Sequence, residues 1–446
     1  MDFLPHTADD EREMLATLGA GALDDLFEPV PAEVRFAGSL DVPPALSEPE
    51  LADHLARLAA VSDGPGLTCF AGGGAYDHHV PSAVRALAGR SEFATSYTPY
   101  QPELSQGVLQ AVYEFQTLVC ELFGLEVANA SLYDGAHALA EAINLSVRAT
   151  GRTRALVGEG VHPHWLEVVR TYTSGLDIRI DVAPAGPAGT VDWAAVDATD
   201  AACVVVQSPN FFGRLEEVSA AAKCAAAAGA LTIAAADPTA LGILAPPGEL
   251  GADVVVAEGA ALGNAISYGG PYVGLFATRL DLVRQVPGRI AGETLDADGR
   301  RAYVLTLQAR EQHIRRARAT SNVCTNQTLM AIAAAVHLSW LGPEGLARLG
   351  EICVRRAAYA AGRLSEIPGC RVRFEGPHFK EFALQTPVAA ADLVPRLAGR
   401  GFLAGPDLGR WYPELGDSLL IAVTERRTAE DIDSLAEAIE KELAEA

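Results

Sequence analysis

The chain has 446 residues, about half of them apolar and a fifth charged, which is ordinary globular composition with room for a large core and two or three domains. A net charge of −23 excludes the basic surface that nucleic-acid phosphates require, and it suits a subunit whose partners carry complementary patches. No apolar run comes near a bilayer span, and the acidic start "MDFLPHTADDERE" lacks a signal-peptide core, so a cytoplasmic protein is expected.

The seven cysteines (69, 120, 203, 224, 324, 353 and 370) are odd in number, widely spaced and without C-x-x-C, which reads as reduced thiols. Only three lysines occur: Lys223, Lys380 and Lys441. Arginine stays protonated and cannot form a Schiff base, so any lysine-dependent chemistry has three candidates.

Residues 1–65 read as a helical arm. "ADDEREMLATLGAGALDDLF" has helical spacing, prolines then interrupt, and "SEPELADHLARLAAVS" follows with Ser47 and Glu50 as a capping pair. "PELSQGVLQAVYEFQTLVCELFG" predicts a long amphipathic helix with Leu104, Val108, Val112, Phe115, Val119 and Leu122 on one face, ending at Gly124. β-Branched runs then alternate with helices: "VANASLY" before helix 136–149, "RALVGE" before helix 164–174, then "LDIRIDV", "ACVVVQSP", helix 217–228, "ALTIAAAD", "ADVVVAE" and "PYVGLFAT". Such alternation predicts an α/β fold with a mostly parallel sheet covered on both faces, here over 66–325. From "RRAYVLTLQAREQHIRRARATSN" onward the expectation is helix, bridging to a small α+β domain over 326–446. Its strands are "RVRFEG", "EFALQT" and "SLLIAVTE", and its closing helix is "TAEDIDSLAEAIEKELAEA".

Several stretches could carry chemistry. In "SLYDGAHALAEAINL", Asp134 or Gly135 would cap a helix and leave amides free for an anion; pyridoxal-phosphate folds cradle the phosphate at such a junction, though it could equally be a plain turn. Asp237 ends "LTIAAAD", where pyridoxal enzymes place the carboxylate that pairs with the pyridinium nitrogen; capping ahead of Pro238 is the other reading. The Schiff-base lysine should then end the next strand. Instead "ADVVVAEGAALG" offers Glu258, Gly259 and Ala260. Lys223 comes too early in the chain, and Lys380 and Lys441 fall in the small domain, so no internal aldimine is expected.

The adjacent His78 and His79 in "GGGAYDHHVP" cannot share a face, and His162 and His164 flank Pro163 with no further ligand, so no metal is expected. "SYTPYQPE" combines two prolines with Tyr97, Thr98, Tyr100 and Gln101, a rigid polar-aromatic loop suited to an interface or a pocket wall. Arg310, Arg315, Arg316 and Arg318 could recognise an anion or form a solvated helix face.

Six stretches in order, "GGGAYDHHVP", "SEFATSYTPYQPELSQG", "VANASLYDGA", "QSPNFFGRLEE", "GGPYVGLFAT" and "LQAREQHIRRARATSNVCTNQ", strongly resemble the alpha-subunit (subunit 1) branch of the P-protein family of the glycine cleavage system. The resemblance implies an aspartate-aminotransferase-like fold, that is, the pyridoxal-phosphate-dependent transferase fold type I. It implies an α2β2 heterotetramer in which the homologous beta subunit holds pyridoxal phosphate. That subunit decarboxylates glycine and passes the aminomethyl group to the lipoyl arm of H-protein, while this chain binds no cofactor of its own. On this reading Asp134, Gly135 and Asp237 line a vestigial pocket, Ala260 marks the missing lysine, and the loop carrying Tyr97, Thr98, Tyr100, Gln101 and Gln106 reaches the partner's site. Arg316–Ala317–Arg318 departs from the Arg-Glu-Lys common in the family. A self-sufficient pyridoxal enzyme using Lys223 and a purely structural scaffold are the alternatives; a nicotinamide-binding protein lacks its glycine fingerprint.

Overall fold

Two compact units make up the chain, Met1–Asp63 and Gly64–Ala446. A computed structural model describes residues 5–36, 38–62, 64–95, 97–319, 321, 323 and 325–445. In the first unit, helix α1 (Ala8–Leu18) starts at Thr7, and α2 (Glu48–Ala59) starts at Ser47. The Ser47 amide and hydroxyl donate to Glu50 at 2.9 and 2.6 Å, so the capping pair read from the sequence forms.

The second unit opens with strand β1 (Thr68–Cys69) and helices α3 (Ser82–Ala88), α4 (Ser91–Ala94) and α5 (Gln106–Phe123). Helix α5 stops at Gly124, whose φ of 67° gives the left-handed turn that glycine tolerates. It begins later than the apolar pattern predicts. Pro102–Leu104 forms a separate 3₁₀ turn, and Leu104 is 81 % exposed instead of sharing the buried face.

The main sheet holds β2 (Val127–Ala128), β3 (Arg154–Gly158), β4 (Arg179–Ala183), β5 (Ala201–Ser208), β6 (Leu231–Ala236), β7 (Val254–Glu258) and β8 (Gly274–Thr278) in the order β2-β8-β7-β6-β5-β3-β4. The pairs among β3 to β7 are parallel; β8 runs antiparallel to both its neighbours. Alternate residues separate into two cores. Val157, Val205, Ala235 and Val256 pack with helix α6 (Gly135–Thr150). Leu156, Val204, Ala234 and Val255 pack on the other face, with α5 and α8 (Val218–Ala228). A strand period of two with both faces apolar is the mark of a sheet covered on both sides, as the sequence predicts. Helix α7 (Pro163–Thr173) lies against α6.

After β8 the expectation of continuous helix fails. β9 (Ile290–Leu295) and β10 (Arg301–Thr306) form an antiparallel hairpin, and only the short α9 (Gln312–Arg315) follows. "RAYVLT" alternates in burial, with Tyr303 and Leu305 packed under α5, a period-two pattern that the neighbouring arginines obscure.

Helix α10 (Thr328–Ser365) then crosses to the small α+β portion, breaking at Gly342 before Pro343. By length and composition it is apolar enough to cross a bilayer, contrary to the sequence reading, but its first half buries Ala331, Ile332, Ala334 and Leu338 within the molecule. The small portion contains β11 (Arg371–Val372), β12 (Glu381–Gln385) and β14 (Ser418–Ala422) as an antiparallel sheet, while β13 (Phe402–Leu403) pairs with β1. Helices α11 (Ala390–Gly399) and α12 (Ala429–Ala444) complete its core.

Candidate functional site

The carboxyl ends of β6 and β7 open onto one cavity, the place where such sheets put their sites. Its lining includes Tyr76, His162, Asp237, Glu258, Ala260 and Lys380.

Asp237 follows β6 directly. Its Oδ1 accepts from the Thr239 amide at 2.9 Å and the Thr239 hydroxyl at 2.6 Å, a local turn and not the expected helix cap, since the 3₁₀ turn Ala240–Gly242 that follows starts at Thr239. Its Oδ2 is 2.7 Å from Lys380 Nζ. Burial pushes the Asp237 carboxyl up, but the adjacent ammonium outweighs it and leaves the group below its ordinary range.

Lys380 precedes β12 and is only 1 % exposed. Besides Asp237, its Nζ lies 3.1 Å from Thr239 Oγ1 and 2.9 Å from His78 Nε2, and it sits 3.8 Å from the centre of the Tyr76 ring. Three acceptors and an aromatic face use all three N–H bonds of an ammonium. His78 Nδ1 in turn meets Glu425 at 2.7 Å, so a neutral imidazole can accept from Lys380 and donate to Glu425. Burial and Lys380 together lower the His78 pKa.

Glu258, the last residue of β7, has no hydroxyl or amine partner among the described residues. It accepts three backbone amides: Ala260 at 2.9 Å and Val273 at 3.1 Å on Oε1, and Gly135 at 2.9 Å on Oε2. Gly135 is the first residue of α6, behind the capping Asp134, which accepts the His137 amide at 2.7 Å. The amide that the sequence leaves free for an anion therefore meets this chain's own carboxyl group. Burial raises Glu258 to about 7 against the pull of those amides.

Glu381, next to Lys380, accepts the Gly73 amide at 2.6 Å and the Tyr76 hydroxyl at 2.9 Å; burial raises it to about 7 also. The glycine run Gly72–Gly74 explains itself here. A Cβ on Gly72 would collide with the Glu381 carboxyl, and one on Gly74 would stand 2.9 Å from His162. His162 is buried and has its pKa lowered to about 4 by burial.

The sequence-expected pocket residues thus come together. Asp237 and Ala260 line the cavity, Gly135 reaches it through its bond to Glu258, and Asp134 stays behind as the cap of α6. Three signals escaped the sequence reading: Lys380, set aside there as a small-domain residue, and the carboxyls of Glu258 and Glu381. One of only three lysines, set between Phe379 and the Glu381–Phe382 pair, was the available clue. Lys223 lies exposed on α8, away from this cavity, where it lines an open depression with Trp193, Asp197 and Cys224. Lys441 is exposed on α12.

The 97–107 loop lies apart from this lining. Tyr97 is 77 % and Tyr100 47 % exposed, and with Thr98 and Gln101 they wall an open depression beside α5. Arg289 donates to the Tyr100 hydroxyl at 2.8 Å. Gln106 is engaged internally, donating to the Tyr303 carbonyl at 2.8 Å and accepting its amide at 2.9 Å. The arginine cluster divides. Arg310 is buried on the carbonyls of Val286, Gly288 and Leu307, while Arg315, Arg316 and Arg318 are exposed.

His78, Cys353 and Glu425 offer ligand atoms within 4.8 Å of one another, but the His78 nitrogens already face Glu425 and the Lys380 ammonium. Among the described residues Cys203, Cys353 and Cys370 are buried free thiols and Cys69, Cys120 and Cys224 partly buried ones; Cys324 lies outside them.

The glycine cleavage system P-protein family matches residues 1–439. A relative from Moorella thermoacetica, named probable glycine dehydrogenase (decarboxylating) subunit 1, is 49% identical over 442 residues, covering 98% of this chain and 99% of its own. A crystal structure of glycine decarboxylase (P-protein) of the glycine cleavage system, in inhibitor-bound form, superposes with a TM-score of 0.94 at 45% identity, covering 99% of this chain and 100% of that one. A sphingosine-1-phosphate lyase from Burkholderia pseudomallei, 16% identical with a TM-score of 0.68 over 93% of this chain and 95% of its own, shares the fold type I architecture alone.

Proposed function

The chain belongs to the glycine cleavage system P-protein family, and from that membership we propose that it serves as subunit 1 of a glycine decarboxylase whose pyridoxal phosphate is held by a homologous, lysine-bearing partner. One observation carries this reading: β7 ends in Glu258, Gly259 and Ala260, with no amine to hold an aldehyde, while Lys380 has every N–H engaged. The chain therefore supplies structure and pocket walls, and the partner supplies the cofactor. Two copies of each subunit form the working assembly. The partner's cofactor stabilises the charge left when glycine loses CO2, and the aminomethyl group passes to the lipoyl arm of H-protein.

Within that assembly Tyr97, Thr98, Tyr100 and Gln101 face the partner's site or its access channel, and Gln106 fixes the base of their loop. Their exposure, and the prolines that stiffen the segment, support this placement. The test is co-purification with the lysine-bearing homologue followed by glycine–bicarbonate exchange. Activity is expected from the complex only. Full exchange by a complex whose loop carries Tyr97→Phe and Tyr100→Phe would favour the purely structural scaffold instead.

A further inference from the structure

We propose that this chain fills its own cofactor-shaped site: Lys380 stands where a protonated pyridine nitrogen would meet Asp237, and Glu258 stands where a phosphate would meet the start of α6. This rests on the reading that the chain carries no cofactor, and goes beyond it by naming what occupies the place.

A pyridoxal enzyme of this fold anchors its cofactor at two charged ends. A carboxylate after a central strand pairs with the ring N–H, and backbone amides at a helix N-terminus receive the phosphate. Both anchors persist here, and both are satisfied internally. Asp237 Oδ2 has the Lys380 ammonium at 2.7 Å. The Gly135 amide has Glu258 Oε2 at 2.9 Å. The signs match the ends they replace, a cation on the carboxylate and a carboxyl on the amides.

The space that remains is about 60 Å³, room for a few waters. Sites for organic ligands run to roughly 300–1,000 Å³. The residues present do not fit the group.

The filling is also a clasp. Lys380 and Glu381 stand at the start of β12 in the small portion, the first just before it, whereas Asp237 follows β6 and Glu258 ends β7 in the main sheet. Between them runs the segment of Gly73, Tyr76 and His78, joined to Glu381 and Lys380. Folds of this type move the small portion when ligand binds only if that junction can open. Here a buried ion pair holds it shut, so the subunit offers its partner a fixed surface and cannot take up the cofactor meant for it.

Having only three lysines makes the test clean. The wild-type full chain is treated with pyridoxal phosphate and borohydride, and the lysine-bearing peptides are quantified. Lys223 and Lys441 are exposed and should label readily. Lys380 should label about a hundredfold more slowly until the chain is unfolded, because its amine must first lose three partners. Labelling of native Lys380 at the rate of Lys223, without saturable binding, overturns the filling alone. Saturable cofactor binding by the wild-type chain overturns the functional reading as well.

A second arm seeks a gain. Lys380→Met combined with Glu258→Ser, checked for folding by circular dichroism, should bind pyridoxal phosphate at least about tenfold more tightly than wild type, the factor that a single freed charge contact supplies. Adding Ala260→Lys should fix the cofactor to residue 260 on reduction. A folded double variant that binds no better than wild type refutes the proposal; if that variant does not fold, the wild-type labelling decides.

Discussion

Replacing Lys380 by methionine keeps most of the buried stem but deletes the charge. Asp237 then retains only the Thr239 amide and hydroxyl, with its side chain 13 % exposed. Removing one partner of a buried pair costs about 3–5 kcal/mol, because the remaining charge is stranded, whereas the similar volume of methionine keeps any cavity contribution small. The expected loss is therefore near 3 kcal/mol or more, read as a lower urea midpoint at unchanged slope. Lys380→Met with Asp237→Asn removes both charges and should recover at least about 2 kcal/mol of that loss, a coupling measurable in a double-mutant cycle. Acid supplies an independent check. In the wild type the Asp237 carboxyl lies below its ordinary 3.8, so its contribution is complete above that value and disappears as pH falls through the lower folded one. In Lys380→Met burial is opposed mainly by the Thr239 hydrogen bonds and shifts Asp237 upward from its wild-type position, so the variant's deficit should shrink as pH is lowered toward the carboxylate range. A loss below about 1 kcal/mol, or strict additivity in the cycle, would refute the assignment of this ion pair as a stabilising clasp.

Glu258 and Glu381, raised by burial from 4.5 to about 7, bind protons more tightly folded than unfolded. Stability should consequently fall as pH rises from about 4.5 to about 7, by up to roughly 3 kcal/mol for each group, and Glu381→Gln should remove about half of that slope in pH-dependent urea titrations. Gly135→Ala should destabilise the fold by about 1–3 kcal/mol, since a Cβ there would stand 2.8 Å from the Glu258 amide nitrogen and also meet the Trp165 ring; an unchanged melting temperature would contradict the close packing at the start of α6. In the assembled complex, Tyr97→Phe with Tyr100→Phe should lower glycine–bicarbonate exchange about thirtyfold while leaving assembly intact by size-exclusion chromatography, the effect of losing about 1 kcal/mol for each of two hydroxyl contacts.

The alternation of buried strands and helices was legible because the two faces of β3, β5, β6 and β7 are both apolar, and Gly124 ends α5 as local rules require. The hairpin of β9 and β10 was not. Its period-two burial is interrupted by Arg300 and Arg301, and its partner residues are assigned by tertiary packing under α5. Of the site, the carboxylate of Asp237 and the cap at Asp134 follow from strand-end and helix-start chemistry alone. Lys380 did not follow, because it is more than a hundred positions beyond Asp237 and meets it only when the small portion folds back. Glu258 was visible as a carboxylate ending an apolar strand, but nothing local says that the amide of Gly135 would find it.

The account depends most directly on the missing strand-end amine. The decisive measurement is the visible spectrum and CO2 release of the purified chain, incubated with pyridoxal phosphate, glycine and lipoylated H-protein, alone and together with the lysine-bearing homologue. The account predicts no CO2 and no saturable cofactor band from the chain alone, where borohydride fixes the aldehyde only unsaturably on exposed Lys223 and Lys441, and it predicts both CO2 release and a saturable band with the homologue present. A yellow, glycine-decarboxylating preparation of this chain by itself would contradict it.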